Sequence, residues 1–191
     1  MLSCQSNKTR AAIFTLLLAG ASATLLAQAP VAQQAPTLQQ AQSACGDQNV
    51  KFKTKTNRKD HSLAPVVPGK AQVYIINDYQ KIFGQIGSPT IRVGMDGAWL
   101  GANHGGSYLY AQVDPGPHHV CVSWQSVLPF YSKLRAFSGF NAEAGKAYYF
   151  RSLITPLGDD TNMYRLTLEK SDSDEAISLI AEYPHVTANS K

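Results

Sequence analysis

The chain has 191 residues, with 17 Lys and Arg against 13 Asp and Glu, 44% apolar residues and 16% charged ones. These proportions describe an ordinary globular domain and exclude a disordered chain or a polytopic membrane protein. The basic excess is small and two of its charges, Lys8 and Arg10, lie at the extreme N-terminus, so no nucleic-acid partner is expected.

Residues 1–27 have the three-part layout of a secretory signal. Lys8 and Arg10 form a positive start, and Ala11 to Leu26 is an apolar run with no charged residue until Asp47. The run is the length of a signal's apolar region and short for a spanning helix, so no membrane span is expected once the signal is removed. Cleavage is expected after Ala27 or Ala29, and an uncleaved N-terminal anchor stays open as the alternative. Neither Cys4 nor Cys45 is placed as a lipidated residue at the end of the run. Without Lys8 and Arg10, 15 basic residues face 13 acidic ones, so +2 remains and the charge carries no partner preference.

Residues 28–44 hold six Gln, five Ala and two Pro. Such a segment has too little apolar surface to offset its ordering entropy and reads as a spacer. Loss of the signal removes Cys4 and leaves Cys45 and Cys121, a disulfide candidate in an oxidising exported compartment; two unpaired thiols are the other reading.

From residue 45 to 191 short β-like runs alternate with turns. Val50–Thr56 alternates with Lys, and Ala71–Ile76 is richer in β-branched and aromatic residues. Asp96-Gly97 between Ile91–Met95 and Ala98–Gly101 predicts a type I′ hairpin turn. A loop at Asn103–Gly106, a strand at Ser107–Val113 and a turn at Asp114-Pro115-Gly116 follow. The strand Pro117–Gln125 places His118, Val120, Val122 and Trp124 on one face, and His119, Cys121 and Ser123 on the other. Strands at Ala136–Glu143, Ala147–Thr155 and Met163–Lys170 complete the series. Asp172 and Glu175 form a capping-box-like start to a helix whose apolar face holds Ala176, Ile177, Leu179, Ile180 and Tyr183, and Pro184 ends it. The fold expected is mainly β: a single antiparallel β-sandwich of about eight strands with one C-terminal amphipathic α-helix.

A run of motifs carries a resemblance. Ala44-Cys45-Gly46, Leu63-Ala64-Pro65, Pro68-Gly69-Lys70-Ala71, Arg92-Val93-Gly94 and Asp96-Gly97-Ala98-Trp99 come first, then Gly101-Ala102-Asn103. Pro115-Gly116, His118-His119-Val120-Cys121, Ala142–Lys146, Tyr148-Tyr149-Phe150-Arg151 and the acidic helix start follow. Over residues 44–185 the chain resembles the bacterial secreted "domain of unknown function 2846" family. Residues 91–124 are also similar to PEGA-type envelope β-sandwich modules. The first resemblance implies an exported location and this fold class, and implies no reaction.

His118-His119, with His104 or His61, raises a metal reading. Adjacent strand residues point to opposite faces, so only one of the pair can serve a given site. No Gly-x-Ser-x-Gly elbow or phosphate loop is present, so no catalytic residue, metal or cofactor is assigned. Tyr108, Tyr110, Tyr148 and Tyr149 either fill the core and its rim or form a patch for a sugar or a protein. The function expected is a non-catalytic binding or structural module of the cell envelope, meeting an envelope protein or glycan through Asn103, His104, Phe130 and Tyr131. A small metal-dependent or hydrolytic enzyme using His104, His118 or His119 is the alternative.

Overall fold

The computed structural model describes residues 44–79, 88–158 and 163–190. The leader and nearly all of the spacer expected over 1–44 lie outside these residues. The order is β1 (Phe52–Asn57), β2 (Ala71–Asn77), β3 (Thr90–Met95), β4 (Ala98–His104), β5 (Ser107–Val113), β6 (Gly116–Gln125), α1 (Pro129–Ser132), β7 (Arg135–Ala142), β8 (Ala147–Pro156), β9 (Tyr164–Lys170), α2 (Ser173–Glu182) and β10 (His185–Ser190). A six-stranded sheet runs β1-β10-β5-β2-β8-β9 and a four-stranded sheet runs β4-β3-β6-β7. The two layers form the expected β-sandwich with its C-terminal helix.

Alternation sorts the side chains as the sequence predicts. Val73, Ile75, Leu109, Phe150, Ile154, Leu166 and Leu168 of the larger sheet meet Ile91, Val93, Val120, Val122, Trp124 and Phe140 of the smaller one in a single buried core. Burying side chains of this size stabilises by roughly 1.5–3 kcal/mol each before entropy is counted. The Asp96-Gly97 turn has both residues at positive φ, 50° and 88°, as a type I′ hairpin demands.

Several features differ from the expectation. The larger sheet is mixed, because β2 pairs with β8 in parallel and β10 pairs with β5 in parallel. Five strands lie between β2 and β8 in the chain, so that pairing is a long crossover that short-range patterning does not register. The strand β10, after Pro184, bridges β1 to β5. Between β6 and β7 lies the short helix α1, which no motif announces. At α2, Asp172 accepts from the Asp174 and Glu175 backbone N–H groups, both at 2.9 Å. Glu175 does not complete a reciprocal box; its carboxylate takes Arg151 and Ser171 instead. Ala176 and Ile180 are buried, whereas Ile177, expected on the apolar face, is exposed.

Cys45 and Cys121 form a disulfide, with Cα atoms 5.3 Å apart. Ala44, Trp99 and Phe137 pack around it. The segment it anchors is also held by Arg92, whose Nη1 donates to the Gln48 and Val50 carbonyls at 2.8 and 3.0 Å. Its Nη2 reaches Ser123 Oγ at 2.9 Å, and the guanidinium lies 4.8 Å from the centre of the Trp99 ring. This buried cation is held by carbonyls, a hydroxyl and a ring face, which desolvate it less severely than an apolar wall.

The disulfide closes a loop of 76 residues, for which chain entropy gives up to about 4 kcal/mol. Cys121→Ser is expected to lower the unfolding free energy by about 2–4 kcal/mol in urea titrations, and non-reducing mass spectrometry should find Cys45 and Cys121 linked in the wild type.

Candidate functional site

The register sorts the connections onto two ends of the sandwich. Thr90 lies opposite both His104 and Gln125, so the β4–β5 and β6–β7 loops open at the same end. Pro156 pairs with Tyr164, and Tyr164 packs against Trp124 and Tyr131, which brings the β8–β9 loop there too. The opposite end carries tight polar turns: Asp96-Gly97, the Asp114–Gly116 turn with Lys70 bonded to Asp114 at 2.7 Å, and Glu143–Lys146.

At the long-loop end, α1 is pinned rather than loose. Pro129 occupies its first turn, Ser132 Oγ donates to the Pro129 carbonyl at 2.9 Å, and the Leu128 N–H donates to Ser126 Oγ at 3.1 Å. Tyr131 stacks on Trp124 with centroids 4.5 Å apart and planes 9° from parallel. With that ring locked in the core mouth, Val127 (93% exposed), Leu128, Phe130 (55%) and Met163 are left in solvent. Four large apolar side chains exposed at one end of a small sandwich form a patch of the kind that marks an interaction surface.

Of the four residues expected to face a ligand, His104 and Phe130 are exposed at this end. Asn103 and Tyr131 are not. Asn103 is fully buried and its Nδ2 donates to the Ile75 carbonyl at 2.9 Å across the two sheets, because β4 continues through it to His104. Tyr131 is only 9% exposed, since the helical turn aims it inward while Phe130 points out.

The histidines of the enzyme alternative do not meet. His104 sits at the long-loop end, 3.0 Å from Thr90 Oγ1. His118 lies at the tight-turn end, with Nδ1 2.5 Å from Asp96 Oδ2 and Nε2 2.8 Å from the Asp114 carbonyl. His119 points to the other face, its ring over Gly139. His61 rests between the Arg58 and Tyr183 carbonyls. Among the described residues, no three His, Cys, Asp or Glu side chains are grouped so that they could hold a metal ion.

Burial opposes the charge of His118, but the Asp96 hydrogen bond, the Asp114 carbonyl and both carboxylate charges outweigh it and leave the pKa above the ordinary 6.5. Both ring nitrogens face acceptors, so the imidazolium is the bonded form.

The outer face of the larger sheet is a second surface. Tyr74 stacks on Tyr149 at 5.3 Å and lies 5.8 Å from Tyr110, and Tyr110 stacks on His185 at 5.0 Å. The helix α2 covers part of this face with Ala176 and Ile180 over Tyr74, Ile76 and Tyr108. Residues 58–67 cross the rest as an irregular strap. Tyr108 Oη donates to the Ser62 carbonyl at 2.9 Å, Tyr74 Oη to the Ala64 carbonyl at 3.2 Å, and Gln112 Nε2 to the Pro65 carbonyl at 3.2 Å. Burial pushes the Tyr74 hydroxyl up to about 12 and raises that of Tyr108 as well, so both remain donors.

Where the strap meets β10, Asp60 Oδ2 lies 3.3 Å from His185 Nδ1 and the Asp60 carbonyl accepts from the His185 N–H at 2.9 Å. Hydrogen bonds from Ser62 hold the Asp60 carboxyl below its ordinary value, so it is ionised. Beside this pair is an open cavity of about 510 Å³ lined by Lys55, Thr56, Asn57, Asp60, His185 and Thr187. None of these six residues was singled out by the sequence. Their separation in the chain hides the grouping, and only Tyr110, noted for its place in an alternating pair, points toward it.

Residues 68–162 match the model of a family described as "Protein of unknown function (DUF2846)". That match supports the first resemblance seen in the sequence and gives nothing to the PEGA-type one. No curated protein and no solved structure matches the chain.

Two outcomes follow from the geometry. Because the folded state raises the His118 pKa, its stabilisation is complete below about pH 6.5 and is lost as pH rises through the raised value. The urea midpoint of Asp96→Asn should therefore fall less than that of the wild type between acidic and alkaline buffer. Tyr108→Phe, which deletes only the hydroxyl, should cost about 1 kcal/mol and speed proteolysis within 58–67 while leaving the rest of the sandwich protected.

Proposed function

The chain belongs to the DUF2846 family through residues 68–162, and from that premise we propose that it is an exported, non-catalytic binding module of the cell envelope that engages a partner protein through its long-loop end. The signal-like residues 1–27 and the spacer that follows support export. No helix among the described residues is long and apolar enough to cross a membrane.

The observation that carries the reading is the exposure of Val127, Leu128, Phe130 and Met163 around a loop held rigid by Tyr131. Exposed apolar side chains cost solubility unless a partner covers them, and a pre-ordered loop loses little entropy on binding. Aromatic anchors such as Phe130 with aliphatic neighbours suit a protein groove, where a few such residues carry most of the binding free energy. The metal or hydrolytic alternative gains no geometric support, since His104 and His118 sit at opposite ends.

The test places a photo-crosslinking amino acid at position 130 and, as a control, at position 114 on the opposite end, in cells expressing the full chain. Discrete protein adducts from position 130 alone, lost in Val127→Asp with an unchanged thermal midpoint, are expected. Equal labelling from both positions, or none, would sink the binding surface, and a product retained inside the cell on fractionation would sink export.

A further inference from the structure

The cavity between the strap and the β1–β10 pair has a composition that the long-loop reading does not use. Its wall carries an ammonium (Lys55), an amide (Asn57), two hydroxyls (Thr56, Thr187), a carboxylate (Asp60) and an imidazole (His185). The wall thus holds one cation, one anion and several neutral donors and acceptors. At about 510 Å³ it lies within the range of small-molecule sites. A phosphate would meet Asp60 as well as Lys55, and a metal ion would find one carboxylate and one imidazole, which is too few ligands.

One lining residue, His185, belongs to a stacked pair of rings. His185 is fixed through Nδ1 by Asp60 and stacked on Tyr110, with planes 23° from parallel. Tyr110 keeps 37% of its surface exposed, although Tyr74 packs against it. An aromatic surface beside mixed polar groups matches one ligand chemistry closely. A pyranose presents an apolar C–H face that lies on a ring and hydroxyls that each donate and accept.

We infer that the cavity lined by Lys55, Asn57, Asp60, His185 and Thr187, with Tyr110 as its platform, is a subsite for one neutral pyranose unit of a glycan. Asp60 and Asn57 accept from and donate to adjacent sugar hydroxyls, Thr187 and Lys55 close the outer edge, and the aromatic pair carries the C–H face. This subsite is separate from the long-loop surface and stands whether or not that surface binds a protein. Except for Tyr110, its residues lie outside the stretch 68–162 that matches the family, so it belongs to what this chain adds around that stretch.

Titration of cellotriose, maltotriose and chitotriose into the ¹⁵N-labelled full-length protein, as the expressing cell produces it and with its disulfide intact, tests the inference by amide shifts. At up to about 10 mM saccharide, enough to fill a millimolar site, at least one trisaccharide should shift the amides of residues 55–60, 110 and 185–187. Tyr110→Ala should weaken that binding by up to about tenfold, the size of an aromatic stacking contribution. Thr187→Arg fills the mouth from an exposed position, so it should abolish the shifts without changing the thermal midpoint. No shift with any of the three sugars overturns the inference. So do shifts confined to Val127–Tyr131, and binding that persists in Thr187→Arg.

Discussion

Two tyrosine hydroxyls impose the constraint on which the outer architecture rests. Tyr74 and Tyr108 are buried on the face of the larger sheet that does not meet the other layer, and a buried hydroxyl without an acceptor costs on the order of 1–3 kcal/mol. The helix α2 supplies apolar cover there, while its own backbone carbonyls are used within the helix. An irregular segment has free carbonyls, and residues 58–67 lay theirs over the rings. The position of the strap then follows from the rings beneath it. Once it is laid down, Asp60 comes against His185 and the cavity beside β1 and β10 acquires its walls. In this molecule a demand for hydrogen bonds on one face of a sheet leads to a polar recess next to it.

What could be read from the sequence divides along the range of the forces involved. Apolar alternation along residues 117–125, 147–155 and 163–170 reports the side facing the core, and the buried Val120, Val122, Trp124, Phe150, Leu166 and Leu168 lie there. Asp96-Gly97 states its own φ requirement, and Asp172 its own cap. These signals are local. The parallel pairing of β2 with β8 is not, because it joins segments separated by five other strands and leaves no mark on either. The strand β10 went unread for another reason: HVTANS has little apolar content and only Val186 is deeply buried. The inward Asn103 escaped because its turn-like neighbours, His104-Gly105-Gly106, drew the eye to a loop that begins after it. Phe130-Tyr131 could be placed at the right end, but adjacent residues in a helical turn diverge by about 100° and only geometry says which ring is buried.

The two ends of the sandwich divide structure from exposure. Glycines, prolines and paired charges close one end in tight turns, and His118 is tied there to Asp96 and Asp114. The other end carries the longer connections, with Trp124, Tyr131 and Tyr164 forming an aromatic floor beneath them. Residues 126–134, which rest on this floor through Tyr131, are displayed without being free to collapse. A scaffold of this kind separates what is recognised from what is stable, since side chains at positions 127, 128 and 130 can vary with little effect on the core.

The strand β10 has a consequence for how the chain reaches its final state. It is the last of the described strands in order, yet it sits inside the sheet, joining β1 to β5, and the Pro184 carbonyl just before it takes the Tyr108 N–H. A polypeptide emerging N-terminus first therefore exposes Phe52–Asn57 as an orphan edge until His185–Ser190 arrive. Completion of this wall waits for a strand far along the chain. A chain cut short before His185 would lose the buried Val186 and carry an unpaired Lys-rich ribbon and a strap with one fewer tether, even with the main cluster between the sheets still in place.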